Sequence, residues 1–187
     1  MYYYSESYLG GIFMSIVNAK LYEEEIRRKM WEIAYEPEYQ YYFGDNTRNN
    51  FKIREDSIGS INRAFAVLDA DEKLIGVINY SMDTAAKVVM WFGAINFSGT
   101  SASKLTFSKA LYQVITDCFI KFGCEVVEWK VIQGNPVEKG YDRVCTKVGG
   151  KIAGVLHRRA FDLQGNLHDV KIYEILREDF LKWYNNK

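Results

Sequence analysis

Apolar positions along the chain change their period several times, and each change marks an element. The run Leu9–Val17 predicts a strand over 11–17, with residues 1–10 as a leading tail. Leu21, Ile26, Met30, Ile33 and Ala34 then recur at helical spacing among Glu, Arg and Lys, which predicts a helix over 19–35 that Pro37 ends. Residues 38–43 read as an aromatic turn of helix and 44–62 mainly as polar loop. Three β-prone runs follow, over 64–68, 74–82 and 87–97, separated by the turns Asp69-Ala70-Asp71-Glu72-Lys73 and Asp83-Thr84-Ala85-Ala86. Links this short between apolar runs predict an antiparallel meander.

The period then returns to that of a helix. Leu111, Val114, Ile115, Cys118, Phe119 and Phe122 share one helical face, and Gly123 closes it. A strand over 126–132 comes next. The helix between it and the meander is long enough for a right-handed crossover, so these two strands can run parallel. Asn135 suits an N-cap, Pro136 a first helical position and Glu138 a capping-box partner. Val137, Tyr141, Val144, Cys145 and Val148 give that helix an apolar face, and Gly149-Gly150 stops it. Strands over 151–162 and 168–176, joined through Gln164-Gly165-Asn166, and a closing helix over 177–184 complete the chain. The expected class is α+β: one domain over 1–187, with a mixed, mostly antiparallel sheet, a single parallel β-α-β crossover and flanking helices.

Charge narrows the choice of partner. Lys+Arg and Asp+Glu both number 24, so no global field gathers nucleic acid or an anionic membrane, and neither is expected as a partner. A local basic patch near Arg158 and Arg159 stays open. Cys118, Cys124 and Cys145 form no CxxC pair, and only His157 and His168 could join them, so no metal site is expected. No Lys or Arg precedes the Leu9–Val17 run, which is also too short to span a bilayer. Reduced thiols in a cytoplasmic protein are the expectation.

Three stretches carry a family resemblance. They are Gly93-Ala94-Ile95-Asn96-Phe97-Ser98, Gly134-Asn135-Pro136-Val137-Glu138-Lys139 running on to Tyr141-Asp142-Arg143, and Tyr173-Glu174-Ile175-Leu176-Arg177-Glu178-Asp179-Phe180. With the order of elements, they resemble the GNAT (Gcn5-related N-acetyltransferase) superfamily over about residues 11–180, and most closely its small members from Gram-positive bacteria and their phages. The resemblance implies the GNAT fold and an N-acetyltransferase that moves an acetyl group from acetyl-CoA to a primary amine by direct attack, with no metal. It also implies that strands 87–97 and 126–132 splay, with the pantetheine between them on the backbone near Ile95, Asn96 and Phe97. The pyrophosphate would lie at the start of the crossover helix, where free N–H groups and the helix dipole favour an anion. Counting back from Gly123 puts that start at Ser103-Lys104-Leu105-Thr106-Phe107-Ser108-Lys109. The family's Gly-x-Gly is replaced there by Thr106 and Ser108, whose hydroxyls can donate to phosphate while Lys104 and Lys109 add charge.

The resemblance also gives Asn135 a contact to the pantetheine, beside its reading as a cap. Where the family often carries a Tyr as general acid, this chain has Cys145, on the apolar face of its helix; Tyr141, one turn earlier, is the substitute candidate. The attacking amine must lose a proton. Glu128, inside an otherwise apolar strand, is the first candidate base, with His157 and His168 behind it. A backbone N–H near Gly93–Ile95 would stabilise the oxyanion. Trp31, Tyr35, Tyr39, Tyr41, Tyr42 and Phe43 form either an acceptor wall or plain packing. The acceptor's identity stays open, as does a homodimer through the last strands or the aromatic N-terminal segment. The alternative reading is a GNAT-fold binding or interaction module with weak or no catalysis, favoured by the lost glycines and the missing Tyr.

Overall fold

The computed structural model of the chain describes residues 5–9, 12–34, 36, 37, 39 and 52–186. Its strands are β1 (Ser5–Leu9), β2 (Ile12–Asn18), β3 (Ser60–Leu68), β4 (Leu74–Asp83), β5 (Val88–Asn96), β6 (Val126–Ile132), β7 (Lys151–Phe161) and β8 (Leu167–Leu176). Its helices are α1 (Glu23–Ile33), entered through a short 3-10 turn at Ala19–Tyr22, α2 (Ser101–Ile120), α3 (Glu138–Lys147) and α4 (Arg177–Asn185). The strands form one sheet in the order β1-β2-β3-β4-β5-β6-β8-β7. Every neighbouring pair is antiparallel except β5–β6. The mixed sheet and its one parallel crossover are therefore as expected.

Several elements differ at their edges. Within the expected tail, Ser5–Leu9 forms β1 and pairs with β2. β3 begins at Ser60 rather than 64, because its polar first residues are satisfied locally: Asn62 N–H donates to Asp56 Oδ1 at 2.7 Å and Arg63 pairs with the same carboxylate at 3.0 Å. The aromatic turn 38–43 falls outside the described residues, Tyr39 excepted.

The turns are built by aspartates. Asp69 Oδ1 accepts from the N–H groups of Asp71 and Lys73, Asp83 Oδ1 from those of Ala85 and Ala86, and Asp162 Oδ1 from those of Gln164 and Asn166. A side chain that accepts two residues on fixes a tight reversal, so these links can be short.

The sheet is covered on both faces. On one, Phe107, Val114, Ile115, Cys118 and Phe119 of α2 pack with Cys145 of α3 and Phe180 of α4 against Val67, Ile78, Val127, Trp129 and Tyr173. On the other, Ile26 and Met30 of α1 pack against Ala66, Leu68, Leu74 and Val77. Alternation along β6 puts Val127, Trp129 and Val131 on the α2 face and Glu128, Lys130 and Ile132 on the α1 face. Gly76 is where α2 crosses the sheet. A Cβ there would lie 2.4 Å from Phe107 Cε2 and 2.5 Å from the Ile95 carbonyl oxygen, so only glycine permits the approach.

Candidate functional site

The centre of the sheet opens. β5 and β6 are in register at Val88–Val126, Val89–Val127 and Phe92–Trp129, and no pair follows. The cause is a bulge at Trp91, whose φ is +54°. The register slips there against both neighbours, between Asn79 and Ser81 of β4 and between Val89 and Phe92 of β5. A bulge bends its strand and raises the local twist, which carries Gly93–Asn96 away from β6. Lys130 Nζ lies 5.0 Å from the centre of the Trp91 ring.

The peptide groups along the gap can be assigned. Phe97 N–H donates to the Ile75 carbonyl at 2.8 Å, so its peptide faces β4. Alternation turns Ile95 the same way and leaves Ala94 and Asn96 facing the gap. Of the residues expected along the gap, Asn96 turns its peptide toward it by alternation, Ile95 lines the cavity that fills the opening together with Ala94, and Phe97 faces β4. The Asn96 side chain is engaged elsewhere: its Oδ1 accepts from Ser98 N–H at 2.8 Å and Ser103 Oγ at 3.2 Å, tying the end of β5 to α2.

Helix α2 opens earlier than expected. Thr100 is its cap, and Thr100 Oγ1 accepts from Ser103 N–H. The first-turn N–H groups of Ser101 and Ala102 have no preceding helical carbonyl to meet. The mouth is therefore at Thr100–Ala102, and Gly99 precedes it, whereas 103–109 lies inside the first turns. Ser103, Thr106 and Phe107 are buried against the sheet, Lys104 and Ser108 are exposed, and Ser108 Oγ donates to the Lys104 carbonyl. Lys109 is half-buried. The count from Gly123 fell two residues short of Ser101 because the apolar stripe weakens before Leu111.

A cavity of about 980 Å³ fills the opening and reaches both faces of the sheet. On the α2 face it is lined by Tyr80, Phe92, Trp129, Asn135 and Tyr141. On the α1 face it is lined by Asn62, Ala64, Asn79, Trp91, Gly93 and Glu128 among others. Glu128 and Tyr141, expected as base and acid, thus line one cavity from opposite faces.

Tyr141 stands edge-on to Trp129 and Tyr173, with ring centres 5.9 and 6.1 Å away. Trp129 stacks on Tyr173 at 5.1 Å. The Tyr173 hydroxyl donates to Asp142 Oδ1 at 2.6 Å, and Lys171 bridges Asp142 and Glu138. Burial, with the Asp142 carboxylate beside it, pushes the Tyr173 hydroxyl far above its ordinary range. Glu128 is not in dry surroundings: its side chain is 35% exposed, and Lys130 Nζ is 3.7 Å from Oε1.

Asn135 is buried, and its Oδ1 accepts from Val137 N–H at 3.0 Å, forming a turn ahead of α3 rather than capping it. Glu138 reaches back to Gly134 N–H instead. Cys145 is buried, and burial pushes its thiol up to about 11. His157 and His168 lie off the cavity, bonded to Asp169 and Asp162 respectively. Trp31 is exposed, and neither it nor Tyr39 lines the cavity; Tyr35, Tyr41, Tyr42 and Phe43 fall outside the described residues. The wall residues that sequence reasoning missed are Trp91, Lys52, Arg54 and Arg63. Among the described residues, no group of three or more His, Cys, Asp or Glu could hold a metal ion, and no helix is long and apolar enough to cross a membrane.

A mixed sheet with one parallel pair among antiparallel ones and flanking helices, splayed at its centre, is the GNAT fold, and this chain has it. Solved structures of that fold match along nearly its whole length. A putative acetyltransferase is 18% identical with a TM-score of 0.63, covering 99% of this chain and 96% of its own. A GCN5-related N-acetyltransferase from Brucella melitensis is 18% identical with a TM-score of 0.67, covering 99% and 86%. Spermidine N-acetyltransferase from Vibrio cholerae, solved with CoA and spermine, is 17% identical with a TM-score of 0.64, covering 90% and 98%. No protein-family model and no curated protein matches the sequence.

Proposed function

We propose that the chain is an N-acetyltransferase that takes an acetyl group from acetyl-CoA and gives it to a primary amine by direct attack. The observation that carries this reading is the end of β5–β6 pairing at Phe92–Trp129, which leaves the peptide groups of Ala94 and Asn96 facing a gap, with the cap of α2, Thr100, following shortly after the end of β5. The pantetheine would take the place of the missing strand partner, and the diphosphate would meet the N–H groups of Ser101 and Ala102. Acetyl-CoA, when bound, supplies the acyl group as a thioester.

The remaining roles belong to the chain. Glu128 accepts the ammonium proton on the α1 face, directly or through water. The Ala94 N–H is placed to stabilise negative charge on the carbonyl oxygen. Tyr141 supplies a proton to the leaving thiolate from the α2 face. Kinship with small Gram-positive and phage members, and a cytoplasmic location, are part of the same reading.

The test is thermal unfolding with and without acetyl-CoA, followed by thiol release with a panel of amines. A ligand that binds only the folded state raises the melting temperature. Stabilisation with amine-dependent thiol release supports the reading. No stabilisation at millimolar acetyl-CoA would overturn it in favour of a GNAT-fold binding module, which the inert Cys145 would suit.

A further inference from the structure

The walls of the cavity do not share the neutrality of the whole chain. Five cationic side chains line it, Lys52, Arg54, Arg63, Lys130 and Arg159, against one carboxylate, Glu128. Lys130 leans on Glu128, and Arg63 pairs with Asp56 at the rim. Among the described residues, Lys52, Arg54 and Arg159 have no carboxylate within ion-pair distance, and all three are exposed.

These charges are not at the proposed diphosphate seat. Thr100, Ser101 and Ala102 do not line the cavity, and α2 covers the opposite face from α1. Glu128 and Lys130 share the α1 face, and Arg159 reaches the cavity from the irregular stretch of β7 between Leu156 and Ala160. Like charges brought together in a cleft cost affinity, and opposite charges draw a ligand in and orient it. A polycation would meet Lys52, Arg54 and Arg159 here, for which the described residues supply no ion-pair partner. A molecule with an ammonium at one end and an acid at the other would meet Glu128 with the first and the cations with the second.

We infer that the acceptor is a small amine that itself carries an anionic group, a carboxylate or a phosphate, and not a polyamine. This rests on the acyl-transfer reading for what happens to the amine, but the binding it describes can be measured alone. Calorimetry on the full chain would compare 2-aminoethyl phosphate, L-glutamate and spermidine in the absence of acetyl-CoA. The expected result is that at least one anionic amine binds about tenfold or more tightly than spermidine, and that binding weakens as salt is raised. The phosphate and carboxylate arms decide which acid is preferred.

Arg54→Gln and Arg159→Gln should each weaken the anionic amine about fivefold. Both side chains are exposed, so the variants should melt as the parent does, and their acetyl-CoA affinity should not change. Spermidine binding as tightly as either anionic amine, failure of both anionic amines to bind at millimolar concentration, or indifference to the two variants would overturn the inference. Binding of an anionic amine by a chain that does not bind acetyl-CoA would support it while removing the acyl-transfer reading.

Discussion

Gly76 and Phe107 touch where α2 crosses β4, so closely that a single added methyl has no place to go. The neighbour on the other side is the Ile95 carbonyl, 2.5 Å from where that methyl would sit. Gly76→Ala should destabilise the fold by about 1–3 kcal/mol, the usual cost of overpacking a filled interior. Chemical denaturation would measure it. Adding Phe107→Leu should recover only part of the loss, because the backbone oxygen remains in the way.

Glu128→Gln keeps the shape of the side chain and removes its charge. Acting as the proton acceptor, Glu128 should account for about 10²–10⁴-fold in kcat/KM, read by thiol release. The melting temperature should hardly change, since its ion pair with Lys130 is long and partly exposed. A variant that melts normally and turns over normally removes Glu128 from the mechanism.

Asp162 titrates differently in the folded chain. The bond from His168, then those from Asn166 and Gln164, hold its carboxyl far below the ordinary carboxylate range. A depressed folded pKa contributes stability above the unfolded value, about 3.9, and loses it as pH falls further. Asp162→Asn should therefore be less stable than the parent at neutral pH. The gap should narrow below about pH 4, as the carboxyl protonates in the unfolded parent while the folded one stays ionised. Urea midpoints at the two pH values would show it.

All three cysteines are buried and free. Burial, with Asp142 and Glu174 nearby, keeps the Cys145 thiol protonated to about 11. Burial of all three should make the native chain resist a thiol reagent at mildly alkaline pH, and urea should expose all three groups together. Fast labelling of Cys145 in the native state would contradict the packing of α3 on β8.

The sequence showed β6 to the residue, because Val126–Ile132 lies between a helix-ending glycine and a turn. It also placed Glu128 and Tyr141, since alternation and helical spacing are local properties. The mouth of α2 was hidden because Thr100 caps a first turn with no apolar stripe. The Trp91 bulge was invisible for another reason: a bulky residue at positive φ is imposed by its neighbours in the sheet, not by its own preference. The basic lining was dispersed over β3, β6, β7 and the segment before β3 in a chain of zero net charge, so only folding gathers it.

The sheet is joined across its middle by the pairs Val88–Val126, Val89–Val127 and Phe92–Trp129, with Glu125 N–H donating to the Lys87 carbonyl beside them. Mechanically it is two plates on a short seam, β1–β5 on one side and β6, β8 and β7 on the other. Amide exchange should find its weak line there, beside the gap rather than at the outer edges. A molecule lying along that gap would act as a clasp, so filling the cleft and stiffening the sheet would be one event.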